Sequence, residues 1–334
     1  APPAAVVPQG PPIDLTCFLH VAAQLLWQLD PFKAQLAALT TPADPLVSGV
    51  QMLMAEISKS RASEGSPALS PALLHTALQV LYAEQTRNLL ESQPLHEMFE
   101  TVLTKFCEAR DSSFVSNVEK LLNIGVLEMC ECECGEMLEP MSYKNFATAV
   151  SVAQIVGNAP AAGQPSSLVT QLGQAAGPAC PSAACGSRMS IVRYLMPPVP
   201  GWMCVALQYP PRSGPPESAD ISTLLQRVDL EVDLQRAFRG VLTPLKMSLR
   251  GVLCSAATRC SAYFLSKEGA TQGSWVCFDD DAVTTVGDEF GAVVSRCAFA
   301  LSQPALLFYE VNDTGGATEC VSCAVVDAPS APPA

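Results

Sequence analysis

Cys17 is the first residue in the chain whose type and place suggest chemistry. It opens a helical run that continues through Gln24, Leu25, Leu26, Trp27, Leu29 and Asp30. A sulfur at a helix N-terminus feels the positive end of the helix dipole, which favours the nucleophilic thiolate. A thiol hydrolase also needs a general base, ordinarily histidine, and a carboxylate or amide to orient it. The chain holds three histidines, His20, His75 and His96, all in its first third. His20 lies one turn after Cys17 and is the local candidate for a base; a packed or solvated histidine is the plainer reading. For Cys17 the plainer reading is a buried cysteine without a role, since free cysteine ranks among the most buried residue types.

A second chemistry is written in two close cysteine clusters. They read Cys130-Glu131-Cys132-Glu133-Cys134-Gly135 and Cys180-Pro181-Ser182-Ala183-Ala184-Cys185-Gly186. Four thiolates from two such knuckles make a tetrahedral structural zinc site, and a glycine after the last cysteine of each eases the turn. Cys134, Cys180 and Cys185 are the firmer ligands, with Cys130 or Cys132 as the fourth. Knuckles without metal are the alternative, because C-x-C-x-C and C-x4-C depart from the usual C-x2-C spacing. The acidic Glu131, Glu133, Glu136 and Glu139 read as a solvated face or as a complement to a basic partner. Cys320 and Cys323 form a lone C-x2-C, too few ligands for a zinc site.

These groups must be held by the elements around them. A helix is expected from about Cys17 to Asp30, capped by Thr16 or Asp14 and ended by Pro31; Val21, Ala22, Leu25, Leu26 and Leu29 share its apolar face. Further helices are expected at 45–58, 70–83 and 93–109, the last with Leu95, Met98, Phe99, Val102, Leu103 and Phe106 at helical spacing. From about residue 115 the runs shorten. Strands are expected at Ile191–Met196, Met203–Gln208, Ser248–Ser255, Ser261–Ser266, Trp275–Phe278 and Ala305–Val311, with a short helix around Phe290–Cys297. A helical lobe followed by a mostly antiparallel sheet is an α+β arrangement.

Two boxes carry a resemblance. The first is Cys17-Phe18-Leu19 with Ala23 and Leu26-Trp27; the second is Thr258-Arg259-Cys260-Ser261-Ala262-Tyr263, then Trp275-Val276-Cys277-Phe278-Asp279-Asp280, then Leu306-Leu307-Phe308-Tyr309-Glu310. Together they resemble the ubiquitin-specific proteases, whose boxes read roughly N-x-C-[FY]-[LM]-N and G-H-Y-x-[AC]-[FY] followed by W-x-x-[FY]-D-D and a closing hydrophobic strand. The resemblance runs over roughly residues 10 to 312. It implies a papain-like cysteine protease fold with thumb, palm and fingers subdomains: a Pro-rich linker at 1–13, a domain at 14–312 and a tail at 313–334. Within the domain it implies a helical thumb at 14–125, fingers at 126–200 and a palm at 201–312. It places Cys17 at the nucleophile, Asp279 at the carboxylate that orients the histidine with Asp280 beside it, and the cysteine clusters at the zinc ribbon of the fingers.

The departures are as informative as the matches. Arg259 falls on the family's histidine, His20 stands where the family prefers asparagine, and Pro12 stands where an amide side chain helps form the oxyanion hole. Arginine stays protonated and cannot accept a proton, while proline has no donor to offer. Arg259 as a nearby cation would still favour a thiolate at Cys17. The expectation is a catalytically impaired domain that recognises ubiquitin or a ubiquitinated protein. Its alternatives are an active deubiquitinase using Cys17 with a non-standard base, and a scaffold that does not bind ubiquitin.

Composition agrees with a folded domain of this kind. The chain has 334 residues, 49% hydrophobic and 15% charged, enough to bury a sizeable core. A net charge of −13 argues against nucleic acid as a partner. No apolar run reaches the ~20 residues of a membrane span. Fourteen cysteines without a secretion signal point to reduced thiols, partly metal ligands, in the cytoplasm or nucleus. Pro/Ala-rich ends suggest a domain cut from a longer protein.

Overall fold

A computed structural model of the chain describes residues 15–39, 47–52, 54–55, 94–108, 112–157, 166–182, 184–210, 216–242, 244–267, 273–279 and 282–312. In chain order the elements are α1 (Leu15–Trp27), α2 (Asp30–Ala38), α3 (Leu95–Cys107), α4 (Ser112–Leu122), β1 (Ile124–Glu131), β2 (Met141–Asn145), β3 (Ala147–Ser151), α5 (Val152–Gly157), α6 (Ser167–Gly173), β4 (Gln174–Ala179), β5 (Arg188–Met196) and β6 (Trp202–Gln208). They continue with α7 (Ser218–Gln226), β7 (Glu231–Asp233), α8 (Leu234–Ala237), β8 (Lys246–Ala256), β9 (Arg259–Leu265), β10 (Trp275–Asp279), β11 (Ala282–Gly287), α9 (Phe290–Phe299) and β12 (Gln303–Val311). Residues 47–52 and 54–55 are also helical, as expected for 45–58; the helix expected at 70–83 lies outside the described residues. Among the described residues no helix is long and apolar enough to cross a membrane.

The chain divides into two compact units. One comprises Ala1–Leu121, Tyr209–Gln226 and Arg250–Leu307. Its helical part is built on spaced aromatics. The six apolar residues anticipated on α3 are all buried. Phe106 of α3 meets Phe32 of α2 and Phe114 of α4 at ring-centroid distances of 5.7 and 6.0 Å, and Phe32 meets Phe114 at 6.0 Å. Pro31 does not simply end the first helix. It occupies the first turn of α2, where a missing N–H costs nothing and the fixed φ suits a helix. In the sheet of this unit, β9 lies between β8 and β10, and β10 pairs with β11, all antiparallel. Helix α1 packs on β9 and β10, and α7 packs on α9.

The second unit comprises Leu122–Gln208, Arg227–Leu249 and Phe308–Ala334. Its four-stranded antiparallel sheet runs β2-β1-β5-β4. Strands β3 and β6 pair in parallel, Ala147 opposite Cys204, and the end of β12 lies beside β6, where the Val311 N–H donates to the Gly201 carbonyl at 3.0 Å. Glu128 on β1 accepts from Arg193 of β5 at 2.7 Å and from the Tyr143 hydroxyl of β2 at 2.8 Å, so the buried carboxylate is neutralised across three strands. Ser166 caps α6 by accepting from the Val169 N–H at 3.1 Å, and its hydroxyl donates to Asp229.

Gly173 closes α6 directly against α8. A Cβ there would lie 1.5 Å from the Ala237 carbonyl oxygen, and backbone cannot rotate away as a side chain can. Gly173→Ala is therefore expected to destabilise the chain by about 3 kcal/mol or more, beyond the usual range for a single small-to-large change. Urea unfolding followed by circular dichroism checks this. A midpoint unchanged from the parent would show that α6 and α8 are not apposed in this way.

Candidate functional site

The site begins at the N-terminal end of α1. Cys17 is its third residue, and Cys17, Val21 and Leu25, spaced one turn apart, are all buried. That face presses onto β9 and carries the Cys17 sulfur to Cys260. The Cys260 N–H donates to Sγ of Cys17 at 3.4 Å, the Cys17 thiol reaches the Cys260 carbonyl at 3.4 Å, and the two sulfurs are 3.6 Å apart. Both residues are buried, at 2% and 1% exposure. Residues 243 positions apart are brought together because β9 returns through a tight turn at Ala257, where φ is +50°, and Ala256 pairs with Arg259.

The structure places Arg259 at the first position of β9, one residue before Cys260, and leaves it exposed. Asp279 is the last residue of β10, opposite Ser261 on β9, and is also exposed. Period-two alternation puts the residues at 259, 261 and 279 on one face of this strand pair. Among the described residues neither Arg259 nor Asp279 makes an ion pair. Asp280, Pro12, Asp14 and His75 lie outside the described residues, as do Cys320 and Cys323; His20 lies in α1, with its side chain undescribed. Cys260 is the residue that the sequence reading missed. Its signal was the departure from the aromatic expected after position 259, because a small side chain there leaves room for the neighbouring sulfur.

On β8 and β10, burial makes the Cys254 and Cys277 thiols poor nucleophiles. Cys254 and Cys297 stand 3.8 Å apart in the core, and burial holds the Cys254 thiol well above its ordinary range. Burial likewise pushes Cys277 up to about 11.

In the second unit the cysteine clusters converge. Strand β1 runs antiparallel to β5, so the end of β1 lies beside the start of β5 and beside the β4–β5 turn. Each knuckle is a hydrogen-bonded turn: Gly135 N–H to the Cys132 carbonyl and Cys185 N–H to the Ser182 carbonyl, closed by Gly135 at φ +91° and Gly186 at φ +66°. The sulfurs of Cys132 and Cys185, and of Cys134 and Cys180, are each 3.6 Å apart, and all four lie within 4.8 Å of one another. A tetrahedral zinc with 2.3 Å bonds sets its sulfurs about 3.8 Å apart, so this donor set fits the ion. Cys132 is the fourth member of the group; Cys130 sits two residues earlier on β1, outside it. Hydrogen bonds from the Ser187 backbone and hydroxyl hold Cys185 down at about 6, while desolvation pushes Cys180 up to about 12.

Comparison with known proteins places these two sites in context. No protein-family model matches the chain. It is 25% identical over 321 aligned positions to human ubiquitin carboxyl-terminal hydrolase 53, covering 89% of this chain but 29% of that protein. The fold matches a Ubp8–Sgf11–Sus1–Sgf73 module of SAGA with a TM-score of 0.61 at 10% identity, over 90% of this chain and 68% of that one. A SAGA DUB module of Ubp8, Sgf11, Sus1 and Sgf73 bound to monoubiquitin matches with a TM-score of 0.59 at 10% identity, over 93% and 69%.

Proposed function

We propose that this chain, a ubiquitin-specific-protease-family domain by its sequence similarity and its fold, recognises ubiquitin or a ubiquitinated protein but has lost the proton-transfer half of the thiol-hydrolase reaction. The observation that carries this reading is the residue next to the one touching the Cys17 sulfur: it is Arg259, exposed and permanently charged. We assign Cys17 to the nucleophile position, Arg259 to the position of the missing base, and Asp279 and Asp280 to the orienting carboxylates. The thumb, fingers and palm are assigned to 14–125, 126–200 and 201–312.

The chemical consequence follows from the acid–base properties of these groups. A thiolate at Cys17 can attack a carbonyl carbon, but the leaving amine needs a proton, and a guanidinium does not cycle one near neutral pH. General acid–base help of this kind is worth ~10²–10⁴ in rate. Zinc at Cys132, Cys134, Cys180 and Cys185 would supply no chemistry to this reaction; it would tie the two knuckles together. The net charge of −13 suits a partner with a basic face.

Saturable binding of monoubiquitin is expected, with hydrolysis of a ubiquitin-amide reporter no faster than for Cys17→Ala. Hydrolysis that Cys17→Ala abolishes would overturn the reading in favour of an active enzyme. Absence of both signals in folded protein would leave a scaffold that does not take ubiquitin.

A further inference from the structure

We propose that Cys17 and Cys260 form an intramolecular disulfide site, through which a peroxide-class oxidant closes the candidate nucleophile. Three features of the geometry point there. The sulfurs are already 3.6 Å apart and need to close to about 2.05 Å. Cys260 is the second residue of β9, just past the Ala257 turn, so the end of a hairpin rather than the middle of a sheet must move. The Cys260 N–H also donates to the Cys17 sulfur, which keeps that sulfur on the partner residue.

The other close thiol pairs in the described residues differ in kind. Cys254 lies inside β8 and Cys297 inside α9, 3.8 Å apart, so closing them would drag a central strand against a helix. Cys132–Cys185 and Cys134–Cys180 belong to the four-thiol group that fits zinc, and a bound ion would occupy them.

The reaction balances with the oxidant named. The Cys17 thiolate attacks hydrogen peroxide; an S–O bond forms, the O–O bond breaks, and hydroxide leaves and is protonated to water. The resulting sulfenic acid is attacked by the Cys260 sulfur; the S–S bond forms, the S–O bond breaks and a second water leaves. Two thiols are oxidised by two electrons in all, and one peroxide is reduced to two waters. Hydrogen peroxide is small enough for a buried pair that a bulky disulfide would not reach. The site does not depend on ubiquitin recognition.

The test uses the full chain loaded with zinc, treated with hydrogen peroxide, alkylated and digested with trypsin without reduction. Cleavage after Lys33, Arg259 and Lys267 isolates each cysteine alone, Cys17 in peptide 1–33 and Cys260 in peptide 260–267. The expected result is a linked 1–33/260–267 species that dithiothreitol separates and that is the dominant cross-link. In Cys260→Ser, checked for folding by circular dichroism, the link is lost and Cys17 is trapped as its sulfenic acid when the peroxide-treated protein is unfolded in dimedone. Separately alkylated peptides without a link in peroxide-treated parent protein, or Cys17 linked elsewhere, would overturn the proposal. The parent-chain result decides even if Cys260→Ser does not fold. A linked species in protein that fails to bind ubiquitin would sink the functional reading and leave this one standing.

Discussion

Arg259→His is expected to raise hydrolysis of a ubiquitin-amide reporter by ~10²–10⁴ over the parent chain, with the gain abolished by Cys17→Ala. The substituted position is one residue from Cys260, whose backbone N and O both lie 3.4 Å from the Cys17 sulfur. Neighbouring Cα atoms are about 3.8 Å apart, which keeps the backbone of residue 259 close to that sulfur. Arginine cannot accept the proton at any ordinary pH, whereas neutral imidazole can, so the variant's activity should rise with pH through ~6.5. Asp279, opposite Ser261 and on the face that carries residue 259, is placed to steer the ring. The Cys260 thiol competes for the same sulfur, so Arg259→His with Cys260→Ala should gain more than Arg259→His alone. If neither variant gains activity while Cys17 is still captured by ubiquitin carrying a C-terminal electrophile, the base is not what is missing. The deficit would then lie on the oxyanion side, at Pro12.

Stripping zinc, or Cys185→Ser, should lower the melting temperature by about 10 °C, the scale set by an ion held some thousandfold above its dissociation constant. The zinc-grown parent chain should carry one ion, and Cys185→Ser less than a tenth of that by elemental analysis. Four sulfurs within 4.8 Å place the donors at near-tetrahedral spacing before any ion arrives. Cys180, pushed up to about 12, is protonated at neutral pH and must release its proton on binding, while Cys185 at about 6 is already a thiolate. Zinc affinity should therefore climb as pH rises across neutrality. Hydrogen exchange should localise the effect to 132–136 and 180–187. A melting curve indifferent to chelator, with no zinc in the purified chain, would show knuckles closed by hydrogen bonds alone.

Periodic apolar residues made several elements legible from the sequence. The stripe from Leu95 to Phe106 predicted α3, and the expected strands near 191–196, 203–208, 248–255, 261–266, 275–278 and 305–311 appear within a few residues of their limits. Helix α4 was hidden because its Phe114, Val118 and Leu122 are buried one turn apart amid serines and charges, which dilute the pattern. Pro31 misled because the same fixed φ that stops one helix suits the start of the next. Strands β2 and β4 are mostly exposed and short, so alternation had little to reveal there.

Residue types set the chemistry that each position can offer. A thiol at a helix start, an arginine unable to move protons, and glycines suited to two knuckles are properties of residue types, legible before any packing is known. Which of these groups meet was set by folding. It brought Cys132 rather than Cys130 to the other three sulfurs, because Cys130 is still within β1, which ends at Glu131, whereas Cys132 opens the knuckle turn. It set Cys260 against Cys17 across 243 residues, because the register of β8 and β9 fixes which residue follows the turn. Side-chain identity is local, whereas proximity depends on strand register and on the faces that helices bury.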